Sequence, residues 1–107
     1  MAWLILIIAG LFETAWAVGL KYSDGFSKFW PSVFTIISMI ISIALLSVSL
    51  KQLSVGTAYA IWTGIGAVGT AIVGMILFNE SKELIRIVFI FMIVAGIVGL
   101  KIFSGNN

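Results

Sequence analysis

The chain has no cysteine and no histidine, a single proline, and only 9% charged residues among its 107. Without cysteine there is no disulfide, thiolate nucleophile or redox couple. Without histidine, acid–base catalysis near neutral pH and the usual zinc ligands are absent too. Nothing here suggests an enzyme, a cofactor or a metal. The net charge of +2 is scattered over the ends of apolar runs instead of forming a basic patch, so nucleic acid has no electrostatic footprint to meet. Polar residues of every kind are scarce. Apolar residues make up 62% of the chain, whereas a soluble domain is about 45–50% apolar and about 25% charged. A small water-soluble chain exposes much of its surface, and this one cannot cover that surface with polar groups. Its solvent is lipid.

The few charges divide the chain. Residues 1–20 are apolar except for Glu13, residues 29–50 and 52–79 carry no charge, and 14 uncharged residues separate Arg86 from Lys101. A spanning helix takes about 20 residues, and lipid admits only helices or closed barrels. The runs do not alternate as barrel strands do, so they predict an all-α membrane protein of four transmembrane helices, over about 2–20, 31–50, 57–78 and 84–103, in one unit. Arg86 and Lys101 then snorkel toward headgroups. Pro31 falls near the start of the second span, where a missing N–H does least harm. Residues 1–20 do not read as a signal peptide. They lack a basic start, carry Glu13 inside the apolar stretch, and outrun the usual apolar core of such a leader.

Basic residues give only a weak orientation. Lys51 and Lys101 fall on the side of the N-terminus, against Lys21, Lys28, Lys82 and Arg86 on the other. The plain reading is a modest preference for an outer N-terminus. The sharper one is insertion both ways, which allows two copies to pair antiparallel and form the inverted repeat that larger transporters encode internally.

Glu13 is the residue on which function turns. It falls about 3 Å from the midpoint of the first span at a helical rise of about 1.5 Å per residue. An ionised carboxylate there costs at least a few kcal/mol without a partner, and no lysine or arginine lies at comparable depth. The bland reading is a neutral carboxyl hydrogen-bonded to a neighbour. The functional reading is a site that holds either a proton or a cation, and it is the one adopted.

The surroundings fit that reading. Ala9 and Gly10 clear space one turn before Glu13, and Trp16 and Ala17 continue its face. Thr35, Ser38, Ser42 and Ser49 form one stripe of the second span. Ser38 and Ser49 read as ordinary interhelical hydrogen bonding, while Ser42, at the depth of Glu13, is the candidate for orienting the carboxylate. Tyr59, Trp62, Gly66 and Gly69 share a face of the third span. Trp62 lies about 8 Å from that span's midpoint, deeper than an interfacial belt residue, and ring faces near a carboxylate suit a delocalised cation. Trp3 and Trp30 read as interfacial anchors. Gly96 and Gly99, with Met92 and Phe103, give the fourth span a packing surface suited to a dimer contact.

These residues resemble the small multidrug resistance family over essentially the whole chain. The marks are Glu13, the stretch Asp24-Gly25-Phe26-Ser27-Lys28-Phe29-Trp30-Pro31-Ser32, and Gly56-Thr57-Ala58-Tyr59-Ala60-Ile61-Trp62-Thr63-Gly64-Ile65-Gly66. The runs Trp16-Ala17-Val18-Gly19-Leu20-Lys21 and Gly96-Ile97-Val98-Gly99-Leu100-Lys101 are similar to those of its guanidinium-exporting branch. Phe89 stands where the multidrug branch tends to carry a second glycine seven residues before Gly96. The resemblance implies a proton-coupled antiporter in the inner cell membrane, working as an antiparallel homodimer. Glu13 would be the shared proton and substrate site, and Gly10, Trp16, Ser42, Tyr59 and Trp62 would complete the pocket. A broad quaternary-ammonium exporter of the same fold is the alternative. From other classes come a cation channel lined by Glu13 and a packing subunit in which Glu13 stays neutral.

Overall fold

The computed structural model describes residues 1–104. They form four helices, α1 (Ala2–Tyr22), α2 (Phe29–Ser49), α3 (Val55–Leu77) and α4 (Leu84–Ser104). All four are long and apolar enough to cross a membrane, and among the described residues there is no strand. Helix α2 begins two residues before Pro31, which therefore stands in the first turn. The first four N–H groups of a helix have no partner inside it, so the ring breaks nothing.

The connections are tight. Between α1 and α2 the chain turns on Ser23, which is fully buried. Its hydroxyl donates to the Leu20 carbonyl at 2.7 Å and accepts the Phe26 N–H at 3.1 Å. Asp24, Gly25 and Phe26 all take positive φ, at 50°, 72° and 65°. Only glycine does so without steric cost, so Ser23's hydrogen bonds hold two side-chain-bearing residues in a turn they would not choose alone. Ser54 caps α3, its hydroxyl accepting the Thr57 N–H.

In space the helices stand in the order α2, α1, α3, α4. Helix α1 packs against both α2 and α3, α4 packs against α3, and α2 meets α3 only lightly. The result is a flattened row measuring 43 × 34 × 17 Å rather than a closed bundle. Its core is small, with Leu6, Ala9, Ala58, Ile61 and Trp62 at the centre. Large apolar side chains cover the outside, as a lipid-facing surface requires.

Helix α2 inverts the pattern of a soluble helix. The residues it buries are Thr35, Ser38, Ser42 and Ser49, while Phe29, Phe34, Ile36, Ile37, Ile40 and Ile43 face outward. In lipid an apolar side chain gains nothing by turning inward, whereas a small hydroxyl permits close approach and finds partners there. A Cβ on Gly19 would come within 2.9 Å of the Phe34 ring and closer still to Thr35 Oγ1, so the α1–α2 contact needs that glycine. The hydroxyls do not all reach across. Thr35 donates to the Pro31 carbonyl at 2.8 Å and Ser49 to the Leu46 carbonyl at 2.7 Å, both on their own helix. The interhelical bond expected of Ser49 is therefore not made.

Helix α4 is the outlier. Its spanning segment has no buried residue. It rests on α3 through Ile93 and Ile97, which lie over Gly64. Gly96 and Gly99 have nothing within 4 Å of where a side chain would project, and Met92 and Phe103 are exposed. Trp3 is half-buried against the core, with Lys101 Nζ 5.6 Å from its ring centre. Trp30 is 75% exposed.

Candidate functional site at the centre of the row

Glu13 faces α3. Its carboxyl occupies the space that a side chain on Gly66 would fill, so only glycine at that position leaves it room. The next layer is similar: Thr14 lies against Gly69, and its hydroxyl stands 3.4 Å from the carbonyls of Gly10 and Gly66. One turn before Glu13, a Cβ on Gly10 would come within 2.6 Å of Ile65 Cγ2. The α1–α3 seam thus closes over glycines, one on α1 and two on α3, and the Glu13 carboxyl lies within it.

A second cluster joins three helices. Trp62 Nε1–H donates to Ser42 Oγ at 2.9 Å, and Ser42 in turn donates to the Ala9 carbonyl at 2.7 Å. Ser42 is fully buried and Trp62 nearly so. Ala9 supplies the carbonyl that, in a regular helix, also takes the N–H of Glu13 four residues on. Ser42 was expected to orient the carboxylate. Its hydroxyl is instead engaged on both sides by backbone and indole, so it braces the helix that carries Glu13. Tyr59 stacks at a tilt on Trp62, ring centres 5.6 Å apart, and is itself 57% exposed.

Among the described residues, three side-chain polar atoms are withdrawn from the surface without a hydrogen-bond partner: Glu13 Oε1, Trp16 Nε1 and Thr63 Oγ1. Buried polar groups are nearly always paired, and each exception calls for a reason. Two of these atoms belong to residues picked out from the sequence, lying one helical turn apart on α1. The third does not. Thr63 sits one turn before Gly66 on α3, so the sign that could have found it was its spacing from the glycine under Glu13. Thr14 was also missed. A hydroxyl adjacent to an intramembrane acid was the available signal. Among the described residues, no group of acidic side chains gathers to hold a metal.

The arrangement can therefore accept a proton or cation at Glu13, offer a donor from Trp16, and present ring faces from Tyr59 and Trp62. Comparison with known proteins gives the family. The family model described as Small Multidrug Resistance protein matches residues 1–93. The chain belongs to the small multidrug resistance family. Full-length relatives in that family include the guanidinium exporter of Salmonella typhimurium strain LT2, 61% identical over 102 residues, or 95% of this chain and 97% of that protein. The guanidinium exporter of Yersinia pestis is 58% identical over 104 residues, covering 97% and 100%. That of Escherichia coli K12 is 58% identical over 102 residues, covering 95% and 97%. Membership in the small multidrug resistance family, together with four spanning helices, makes this a multi-pass membrane transporter and not an enzyme. In a bacterium its place is the inner membrane.

The Ser42 bridge can be tested directly. Ser42→Ala should cost about 1 kcal/mol, the usual scale for an interhelical hydrogen bond in a membrane, and should shift the Trp62 fluorescence as its N–H loses an acceptor. Unfolding in mixed micelles, followed by tryptophan emission, measures both. Unchanged stability and emission would mean that the bridge does not brace α1.

Proposed function

We propose that this protein exports guanidinium and small guanidinyl cations in exchange for protons, as an antiparallel homodimer with Glu13 as the shared site. The observation that carries the reading is the lone carboxylate seated on Gly66, one oxygen buried without a partner. Guanidinium is planar, permanently charged near neutral pH and weakly hydrated, and its paired N–H groups match a carboxylate. Trp16 narrows the space beside Glu13, while Tyr59 and Trp62 supply ring faces to a flat cation. Ser42 and Gly10 keep the walls in place, one by bridging three helices and the other by admitting Ile65. A quaternary ammonium ion has no N–H to offer that carboxylate, which disfavours the alternative. The names of the relatives point the same way.

The dimer follows from incompleteness. A flattened row leaves the Glu13 face with one wall, and the Gly96–Gly99 face of α4 is open for a second copy. Trp16 lies beyond the midplane toward the first turn, and Tyr59 and Trp62 lie on the other side of it. In an antiparallel pair the Trp16 of one copy comes level with the Trp62 of the other, closing a cage around two Glu13 side chains. The chain lacks native cysteine, so Gly96→Cys provides a clean probe. Disulfide-linked dimers should form in membranes, and their absence under oxidation would remove α4 as the contact.

Exchange then follows from charge. Moving an empty site with both carboxylates ionised would carry two unpaired charges through a low-dielectric interior, at several kcal/mol each. Two protons or one guanidinium neutralise the pair well enough to move, and competition between these loads couples them. Glu13→Gln keeps the shape and loses the exchangeable charge. In proteoliposomes it should lower proton-driven guanidinium uptake to the level of protein-free vesicles, while the protein still elutes as a folded dimer. Retained coupled uptake would end the assignment of Glu13.

The same stoichiometry makes transport electrical. Two protons entering for one guanidinium leaving carry one net charge inward, so an inside-negative potential should favour export by about 2.3 kcal/mol per 100 mV. Guanidinium gradients across the vesicle membrane should generate a current whose reversal potential reports two protons per cation. Silent exchange would show that a single proton suffices.

A further inference from the structure

A second carboxylate in this molecule already holds a guanidinium, and the guanidinium is its own. At the end of the α1–α3 seam a cavity of about 220 Å³ opens, with Ala17 and Thr70 in its wall. Ala17 is four residues on from Glu13 and Thr70 four on from Gly66, so the cavity begins one helical turn beyond the contact between Glu13 and Gly66. Its outer rim is formed by Lys21, Phe78 and Glu80.

Glu80 is placed there by the backbone. Asn79 takes a φ of 56°, and the Glu80 N–H returns to the Gly74 carbonyl at 3.2 Å. The carboxylate then lies where a side chain on Gly74 would project. Arg86, in the first turn of α4, donates through Nη2 to Glu80 Oε1 at 2.9 Å and through Nη1 to the Ser81 carbonyl at 3.1 Å. The two side chains are 30% and 44% exposed, so the pair opens readily to solvent, and exposed ion pairs hold weakly. Lys21 Nζ lies over the Phe78 ring, 5.7 Å from its centre. Glu80 is the one carboxylate among the residues lining this cavity.

We propose that Glu80 is an outer guanidinium site, where a free guanidinium on its way to or from Glu13 takes the place held by the Arg86 side chain. The proposal rests on the export reading above and extends it to the path. The swap replaces one planar, N–H-donating cation by another on the same carboxylate, so the site is already shaped for this ligand class. Arg86 need not be stranded, because Glu83 stands three residues before it, within reach of an i, i+3 pair. With Lys21 and Arg86 beside it, Glu80 retains a cation only loosely, as a place of passage should.

The two halves of the pair should act in opposite directions. In proteoliposomes at low ionic strength, Glu80→Gln should raise the KM for guanidinium about two- to fivefold with kcat kept, the scale expected of an exposed ion pair. Arg86→Gln removes the competitor and should lower KM by a similar factor. The double variant should behave as Glu80→Gln, and Glu80→Asp, which keeps the charge, should stay near the wild type. Asp24→Asn makes the same change of charge on the same side of the membrane, away from the cavity, and should leave KM unchanged. A purely structural ion pair would move both single variants the same way, and a general field effect would make Asp24→Asn resemble Glu80→Gln. Either result overturns the proposal, as does a KM that neither single variant changes. Wild-type protein that carries no guanidinium overturns the export reading and this inference together, whereas parallel shifts in a protein that does carry it overturn this inference alone.

Discussion

The hydroxyl of Ser42, held between the Trp62 indole and the Ala9 carbonyl, is the interaction on which the rest of this structure depends. Helices in lipid are not pressed together by water, because the surrounding chains are as apolar as leucine. What remains is close packing and the few polar groups that must find partners. Ser42 satisfies a donor and an acceptor at once. In doing so it ties α2 and α3, which otherwise barely touch, to the same turn of α1 that leads into Glu13. Removing water raises the worth of each such bond and the cost of each missing one.

Against that brace, the seam between α1 and α3 is made of absences. Gly10 admits Ile65, Gly66 admits the Glu13 carboxyl, Gly69 admits Thr14, and Gly74 admits Glu80. Three successive contacts along the α1–α3 seam need a glycine on one helix or the other, and a fourth glycine, Gly74, makes room for Glu80 from the connection that follows α3. This is how a chain with so few polar residues brings two carboxylates into its interior and its mouth without a cation bonded to the inner one. The orphaned oxygen of Glu13 and the orphaned N–H of Trp16 are then not defects of packing. On the proposed function, the Glu13 oxygen is the acceptor that a proton or an N–H-bearing cation would satisfy, whereas the Trp16 N–H, a donor only, would need an acceptor and not a cation.

The same economy explains why the molecule is flat. A helix row one layer thick leaves α4 packed on α3 along one edge only, and nothing lies within 4 Å of where side chains on Gly96 and Gly99 would project. The weak bias of basic residues between the two membrane sides fits the antiparallel pairing proposed above.

Much of this could be read from the sequence. The solvent, the number of spans and the depth of Glu13 within the first span follow from where charges are and are not, because the cost of charge in lipid is too large for any tertiary detail to reverse. The buried hydroxyl stripe of α2 also followed from periodicity alone, since a helix repeats its face every three to four residues. Partners were another matter. Periodicity placed Ser42 at the depth of Glu13 but could not say that its hydroxyl would be engaged by an indole and a backbone carbonyl. It put Ser49 on the shared face without showing that the hydroxyl turns back to its own helix. Thr63, Thr14 and the pairing of Glu80 with Arg86 were not anticipated either. One-dimensional patterns report depth and face, which depend on a residue's own helix. Hydrogen-bond partners depend on which neighbour arrives first within about 3 Å, and only the packed helices decided that.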